Sequence, residues 1–406
     1  MKELEKNKKM STIKIFNGRA ITPSGIKENA TIIVKDGIIE AVSEGNPEVA
    51  GATEIDAKGK YVGPGLIDNQ VNGFAGVSFS LGGSDLTDEG IEKATSELWK
   101  NGVTSYLPTL TTNSQEALMK NFAILAKSVD DIKLLGSIPG FHLEGPYISP
   151  EDGYRGAHPS QFVRLPNWEE FMELQEASGQ HIIQVTLAPE MEGALDFITK
   201  CSQNGIVVAL GHHNANIETV TAAIDRGAKI ATHLGNGVAN MINRHQNPFW
   251  SQMADDRMHI SIICDSFHLL PEEIKVFYKV KGIEKIIITS DVTSFATLKP
   301  GMYQTQTGET IELTDEGLLH YPAQKCLYGS ASPINKGIGH IIKVTGCSLA
   351  DAIKMASTNP AILNGLTDRG ELEQGKRADL ILFTMEEGNM VIQKTIVAGK
   401  EVFSKE

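Results

Sequence analysis

Cysteine is scarce: Cys201, Cys264, Cys326 and Cys347 are the four in 406 residues, and no two form a CxxC pair. This spacing excludes a disulfide framework, a zinc ribbon and thioredoxin-like chemistry, and it fits the reduced thiols of a cytoplasmic protein. Cationic residues are also in deficit. Lys and Arg number 37 against 50 Asp and Glu, a net charge of −13, so no long-range field attracts nucleic acid or an anionic membrane. An anionic ligand would need a local cationic pocket. No stretch approaches ~18 uninterrupted apolar residues. The opening MKELEKNKKM lacks the apolar run of a signal peptide, so the expected location is the cytoplasm. A Walker loop, a Rossmann fingerprint and a GxSxG elbow are missing too, which removes nucleotide and serine-hydrolase readings.

What is present is an ordinary globular composition, 41% hydrophobic and 21% charged, long enough for two or three domains or one large barrel with an appendage. Near the amino end, β-branched runs at Thr12–Phe16, Ala30–Val34 and Ile38–Val42 are broken by Asn17-Gly18 and Asp36-Gly37, which are hairpin signals. The carboxyl end repeats that style at Ala378–Phe383 and Val391–Val397. The two ends, 1–62 and 364–406, are expected to pair into one small β-sandwich domain.

Between them, over 63–363, eight apolar runs alternate with helix-length stretches: Tyr61–Asp68, Gly102–Leu107, Leu135–Glu144, Ile182–Leu187, Gly205–Leu210, Lys229–Thr232, His259–Cys264 and Lys285–Ser290. Eight βα units predict an α/β fold, a (β/α)8 TIM barrel, with an open doubly wound sheet as the competing arrangement.

In a barrel, chemistry gathers at the carboxyl ends of the strands. Those ends read Gln70-Val71-Asn72, His142-Leu143-Glu144, His212-His213-Asn214, Thr232-His233-Leu234, Asp265 to His268, and Asp291. A single His after a buried strand is ordinarily a hydrogen-bonded structural residue. Here Glu144, His212 and His233 converge with a further Asp, the ingredients of a divalent-metal site with an open position. Period-two geometry turns His213 to the opposite face, where a rim or surface position is expected. It places His142 on the face of Glu144, either behind the ligands or packed in the core.

These segments, with Pro64–Asp68, Gly140–Pro146, Gly156-Ala157-His158, Asn236 and an ending that runs Ala356–Pro360 through Ala378–Leu380, carry a resemblance. From Ile13 to Phe403 the chain resembles the amidohydrolase superfamily, and within it the family of N-acetylglucosamine-6-phosphate deacetylases. The resemblance implies a cytoplasmic hydrolase of amino sugar metabolism that releases acetate from an N-acetylated amino sugar, with N-acetylglucosamine 6-phosphate as the expected substrate. It implies Glu144, His212 and His233 as metal ligands, Asp291 as general acid and base, and His158 as the group polarising the acetyl carbonyl. Asn236, Gly237, Arg244 and His268 fall where the family holds the sugar and its phosphate. Gln70 and Asn72 stand where many amidohydrolases carry His-x-His for a second metal. Neutral amides ligate zinc poorly, so one divalent ion per chain is expected, zinc first, with iron, manganese or cobalt accepted by the same donors. Family members are commonly dimers with a phosphate-contacting Arg near the interface, which implies a homodimer here.

One segment departs from the family pattern. Asn243 to Trp250 replaces an Arg-Glu-Pro-Gly stretch, keeping Arg244 in changed surroundings, while Tyr154-Arg155 offers an additional cation. This leaves open an amidohydrolase acting on another amide: an unphosphorylated N-acetyl sugar, an N-acyl amino acid or a cyclic amide. A third reading, a catalytically silent scaffold, has no chemical reason to keep the full set of site residues.

Overall fold

A computed structural model describes residues 12–405 apart from 306, 307 and 325; residues 1–11 and 406, placed above in the small β domain, lie outside the described residues. Eight parallel strands, Leu66–Val71, Val103–Thr111, Phe141–Glu144, Ile182–Leu187, Val207–Leu210, Ala228–Ala231, His259–Ile263 and Ile286–Thr289, pair in chain order, each with its sequence neighbours. Their inward and outward side chains are nearly all buried, as expected for parallel strands covered by helices. At the closing seam a side chain joins the ends. Asp68 Oδ1 accepts from Thr289 Oγ1 (3.0 Å) and Ser290 N (3.1 Å), and Val71 bridges to Val292 just beyond.

Helices return the chain between strands. Asp88–Lys100 buries Ile91, Ala94, Thr95, Leu98 and Trp99 on one face, and Thr87 caps its start through Gly90 N, the spacing and cap of an amphipathic helix. The ends of the chain form a second sheet of eight strands. Its path runs from Lys400–Ser404 through Asn389–Val397, Leu380–Glu386, Tyr61–Pro64, Thr12–Thr22 and Gly25–Lys35 to Ile38–Glu44, with Thr53–Asp56 beside Thr12–Thr22. This sheet packs on its own core, which includes Ile15, Ile32, Val34, Leu380 and Ile396.

Three local expectations change. The run expected as the first barrel strand, Tyr61–Asp68, divides. Tyr61–Pro64 pairs with Leu380–Phe383 in the small sheet, and the barrel strand begins at Leu66. The break falls at Gly65, where a Cβ would lie 2.1 Å from Thr104 Oγ1. The third run is strand only over Phe141–Glu144, because Leu135 and Gly136 adopt positive φ and Pro139 offers no N–H. An unforeseen antiparallel sheet, Gly301–Gln304, Thr310–Leu313, Leu319–Tyr321 and Cys326–Leu327, is inserted after the eighth barrel strand.

Candidate active site

Glu144 closes the third barrel strand, and His212 and His233 follow the fifth and sixth. Glu144 Oε1 lies 2.9 Å from His233 Nε2 and 3.3 Å from His212 Nε2, and the two Nε2 atoms are 3.2 Å apart. Ligands about 2.0–2.2 Å from one tetrahedral ion stand roughly 3.3 Å from each other, so the spacing fits a single divalent ion. The donor chemistry fits as well: Tyr154 O accepts from His212 Nδ1 at 3.0 Å, which leaves Nε2 with its lone pair facing the site. These three residues therefore form a site able to hold a metal ion.

Gln70 and Asn72, at the end of the first barrel strand, occupy the neighbouring ground. The Gln70 Nε2 amide donates both to Glu144 Oε1 (3.0 Å) and to Asp291 Oδ1 (2.9 Å), and Asn72 Nδ2 donates to Asp291 Oδ1 at 2.7 Å. Amide protons thus sit between two carboxylates where a second cation would otherwise balance them. Burial, then the adjacent Glu144 charge, push the Asp291 carboxyl up. His212, His233 and Asp291 all have positive φ, 53°, 30° and 50°. This conformation is uncommon for non-glycine residues, with Asp and His among those that adopt it more readily.

His158 reaches the site from the loop after the third strand. Its Nδ1 lies 2.8 Å from Thr112 Oγ1, and its ring stands edge-on to His212 at 4.4 Å; burial pulls it down to about 3, so it is a neutral imidazole. His142 sits beneath, bonded to Thr186 Oγ1 at 2.8 Å, and is a packed core histidine. His213 corrects the expectation of a rim position. It is buried, with Nε2 3.2 Å from Gln252 Nε2, because the helix Pro248–Ala254 covers that face.

Asn72, Glu144, His158, His212, His233 and Asp291 open into a cavity of about 490 Å³. Asn236, Gly237 and His268 line it. Asn236 Nδ2 is buried without a partner among the described residues, and a Cβ on Gly237, whose φ is +62°, would fall 2.7 Å from His212 Nδ1. Asp265 Oδ2 holds His268 Nδ1 at 2.7 Å. Arg244 is not brought to this cavity, and no Lys or Arg is among the described residues lining it. The cause is local: Asn243 Oδ1 accepts from His245 N and Gln246 N (both 2.9 Å), and Asn247 caps the next helix through Phe249 N. This tight turn leaves Arg244 exposed. The far wall comes from the inserted sheet and its approach, through Phe295, Leu298, Tyr303 and Tyr328. No periodic signal in the sequence marked that wall.

The amidohydrolase family model matches residues 61–402. The N-acetylglucosamine-6-phosphate deacetylase of Lysinibacillus sphaericus is 28% identical over 393 residues, 95% of this chain and 96% of that protein. The Caenorhabditis elegans enzyme of the same name is 32% identical over 86% of this chain and 84% of its own length. The crystal structure of N-acetylglucosamine-6-phosphate deacetylase from Pasteurella multocida superposes with a TM-score of 0.88 at 27% identity, covering 97% of this chain and all of that one. Matched along almost its whole length by proteins of this kind, and carrying their barrel with a Glu-His-His site at the strand ends, the chain belongs to the amidohydrolase family.

Proposed function

We propose that this protein is a metal-dependent deacetylase that hydrolyses N-acetylglucosamine 6-phosphate to the amino sugar phosphate and acetate. The observation that carries the reading is the convergence of Glu144, His212 and His233 on one point beside Asp291, in a chain whose relatives bear that name. One divalent ion, zinc by donor set, would be held by these three residues; when bound it supplies Lewis acidity, drawing the pKa of water towards ~7 and polarising an acyl oxygen. Asp291 takes the proton of the attacking water and delivers it to the departing nitrogen, since an amine leaves only when protonated. Gln70 and Asn72 aim its Oδ1. His158, a neutral ring fixed at Nδ1 by Thr112, offers Nε2–H to the acyl oxygen as negative charge develops there. Asn236, Gly237 and His268 bind the sugar and its phosphate.

We further propose a homodimer working in the cytoplasm. Arg244 lies outside its own cavity in a segment that also exposes Met241, Ile242 and Trp250, and a second copy covering these apolar residues would bring the cation into use. The four free cysteines agree with a reducing compartment.

A second reading, an unphosphorylated N-acetyl sugar on the same machinery, draws support from the absence of Lys and Arg among the described lining residues. Acetate release decides between them. N-acetylglucosamine 6-phosphate is expected to exceed N-acetylglucosamine in kcat/KM by at least about tenfold, the worth of one charge-assisted hydrogen bond. Equal values would move the substrate to the second reading, and no turnover of either would reject the deacetylase.

A further inference from the structure

The segment 154–158 meets the site at three points. Tyr154 O accepts from His212 Nδ1, Gly156 lies so close that a Cβ there would be 3.2 Å from His212 Cε1, and His158 stands edge-on to the same ring. His158 itself is anchored by one side-chain bond, to Thr112. Its backbone is anchored by Arg155, whose Nη1 donates to the His158 carbonyl at 2.8 Å while Nη2 pairs with Asp152. The main chain of Arg155 is tied in turn, its N–H donating to Glu151 O at 2.9 Å.

The Arg155 side chain is 14% exposed, and its Nε is buried with no partner among the described residues. An unpaired buried N–H is costly, and the side chain is not among those lining the cavity. The additional cation suggested by the sequence is therefore spent inside the loop and not on a ligand. Its geometry closes the turn that presents His158.

We propose that Arg155 is a positioning residue for hydrolysis: by holding the His158 carbonyl it fixes the imidazole against Thr112 at the cavity face, and it acts on turnover through His158. This rests on the reading of His158 as the group that polarises the acyl oxygen. A displacement of about 1 Å at a reacting group costs up to ~10²-fold in rate. With N-acetylglucosamine 6-phosphate, Arg155→Ala is expected to lower kcat about ten- to a hundredfold, with KM within about twofold and metal content unchanged. Arg155→Lys, which retains one donor for the carbonyl, recovers part of the loss and serves as the probe if the alanine variant does not fold.

The deciding measurement is a double-mutant cycle with His158→Ala. Residues acting through one group are non-additive, so the Arg155 substitution should cost nothing further once His158 is gone. Additive losses, a fall in bound metal, or full turnover of the Arg155 variants beside an impaired His158→Ala would each overturn the positioning role while leaving the reading of His158 intact. Full turnover of His158→Ala would overturn that reading and this proposal with it.

Discussion

At the floor of the cavity Glu144, His212, His233 and Asp291 are each a tenth exposed or less, with Gln70 donating to Glu144 and Asp291, Asn72 donating to Asp291, and Tyr154 O accepting from His212. In the loop after the sixth barrel strand, an outer rim beyond the cavity lining, Met241 is 89% exposed and Arg244 faces solvent, and part of the cavity wall comes from a sheet inserted outside the eight βα repeats. The floor is held by the barrel, whose strand ends are fixed by parallel pairing on both sides. The rim is held by its own turns. Rigid elements position reacting groups more closely than loops do, whereas loops tolerate change. Chemistry is therefore expected to reside in the floor and substrate choice in the rim, and substitutions can test that division.

The largest effect is expected at the ligands. His212→Ala and His233→Ala should lose bound metal and turnover together, from one ion per chain in the parent, as read by metal analysis alongside acetate release. Two ions per chain in fully active protein, with Gln70 coordinating, would break the single-ion assignment. Next comes Asp291→Asn, which should cut kcat by ~10²–10⁴ while metal content stays near normal, because proton transfer alone is removed. Near-native turnover would take the role of base away from Asp291. At the rim, Arg244→Ala should cost about tenfold in kcat/KM for the phosphorylated sugar and little for the unphosphorylated one. An equal loss for both would place Arg244 in the folding of the rim and not in substrate choice.

The smallest effect concerns the seam beneath both regions. Burial, opposed by hydrogen bonds from Ser290 and Thr289, pushes Asp68 up to about 6. Its unfolded value is about 3.9, so the folded state binds this proton more tightly. The resulting stabilisation is full below about pH 4 and is lost as pH rises towards 6. The free energy of unfolding of the parent, from denaturant titration and compared with Asp68→Asn, should therefore fall between pH 4 and pH 7 by no more than about 3 kcal/mol. A difference that rises with pH would mean that the ionised form is the one that closes the barrel.

Much of the floor was legible in the residues themselves. Ile182–Leu187 is a strand with the limits its β-branched run predicts, and Glu144, His212, His233 and Asp291, which the structure brings together, each follow an apolar run at the barrel end where chemistry collects. His213 was misread because its surroundings are set by Pro248–Ala254, 35 residues away, and no local pattern reports that packing. Arg244 was placed by family likeness, while its exposure follows from the Asn243 turn. The inserted sheet escaped because strands of two to four residues carry too short an alternation to register.

The sequence by itself determined the alternation of apolar strand and amphipathic helix, the residues able to donate to a metal at the strand ends, and the neutral amides at positions 70 and 72, since these depend on residue type and on spacing along one element. Tertiary structure alone decided what each donor faces. Glu144, His212 and His233 come together at one point and Gln70 comes to bridge two carboxylates, because closing the barrel brings together strand ends that lie tens to hundreds of residues apart. Hydrogen bonds of about 3 Å can form only once that closure has fixed both partners.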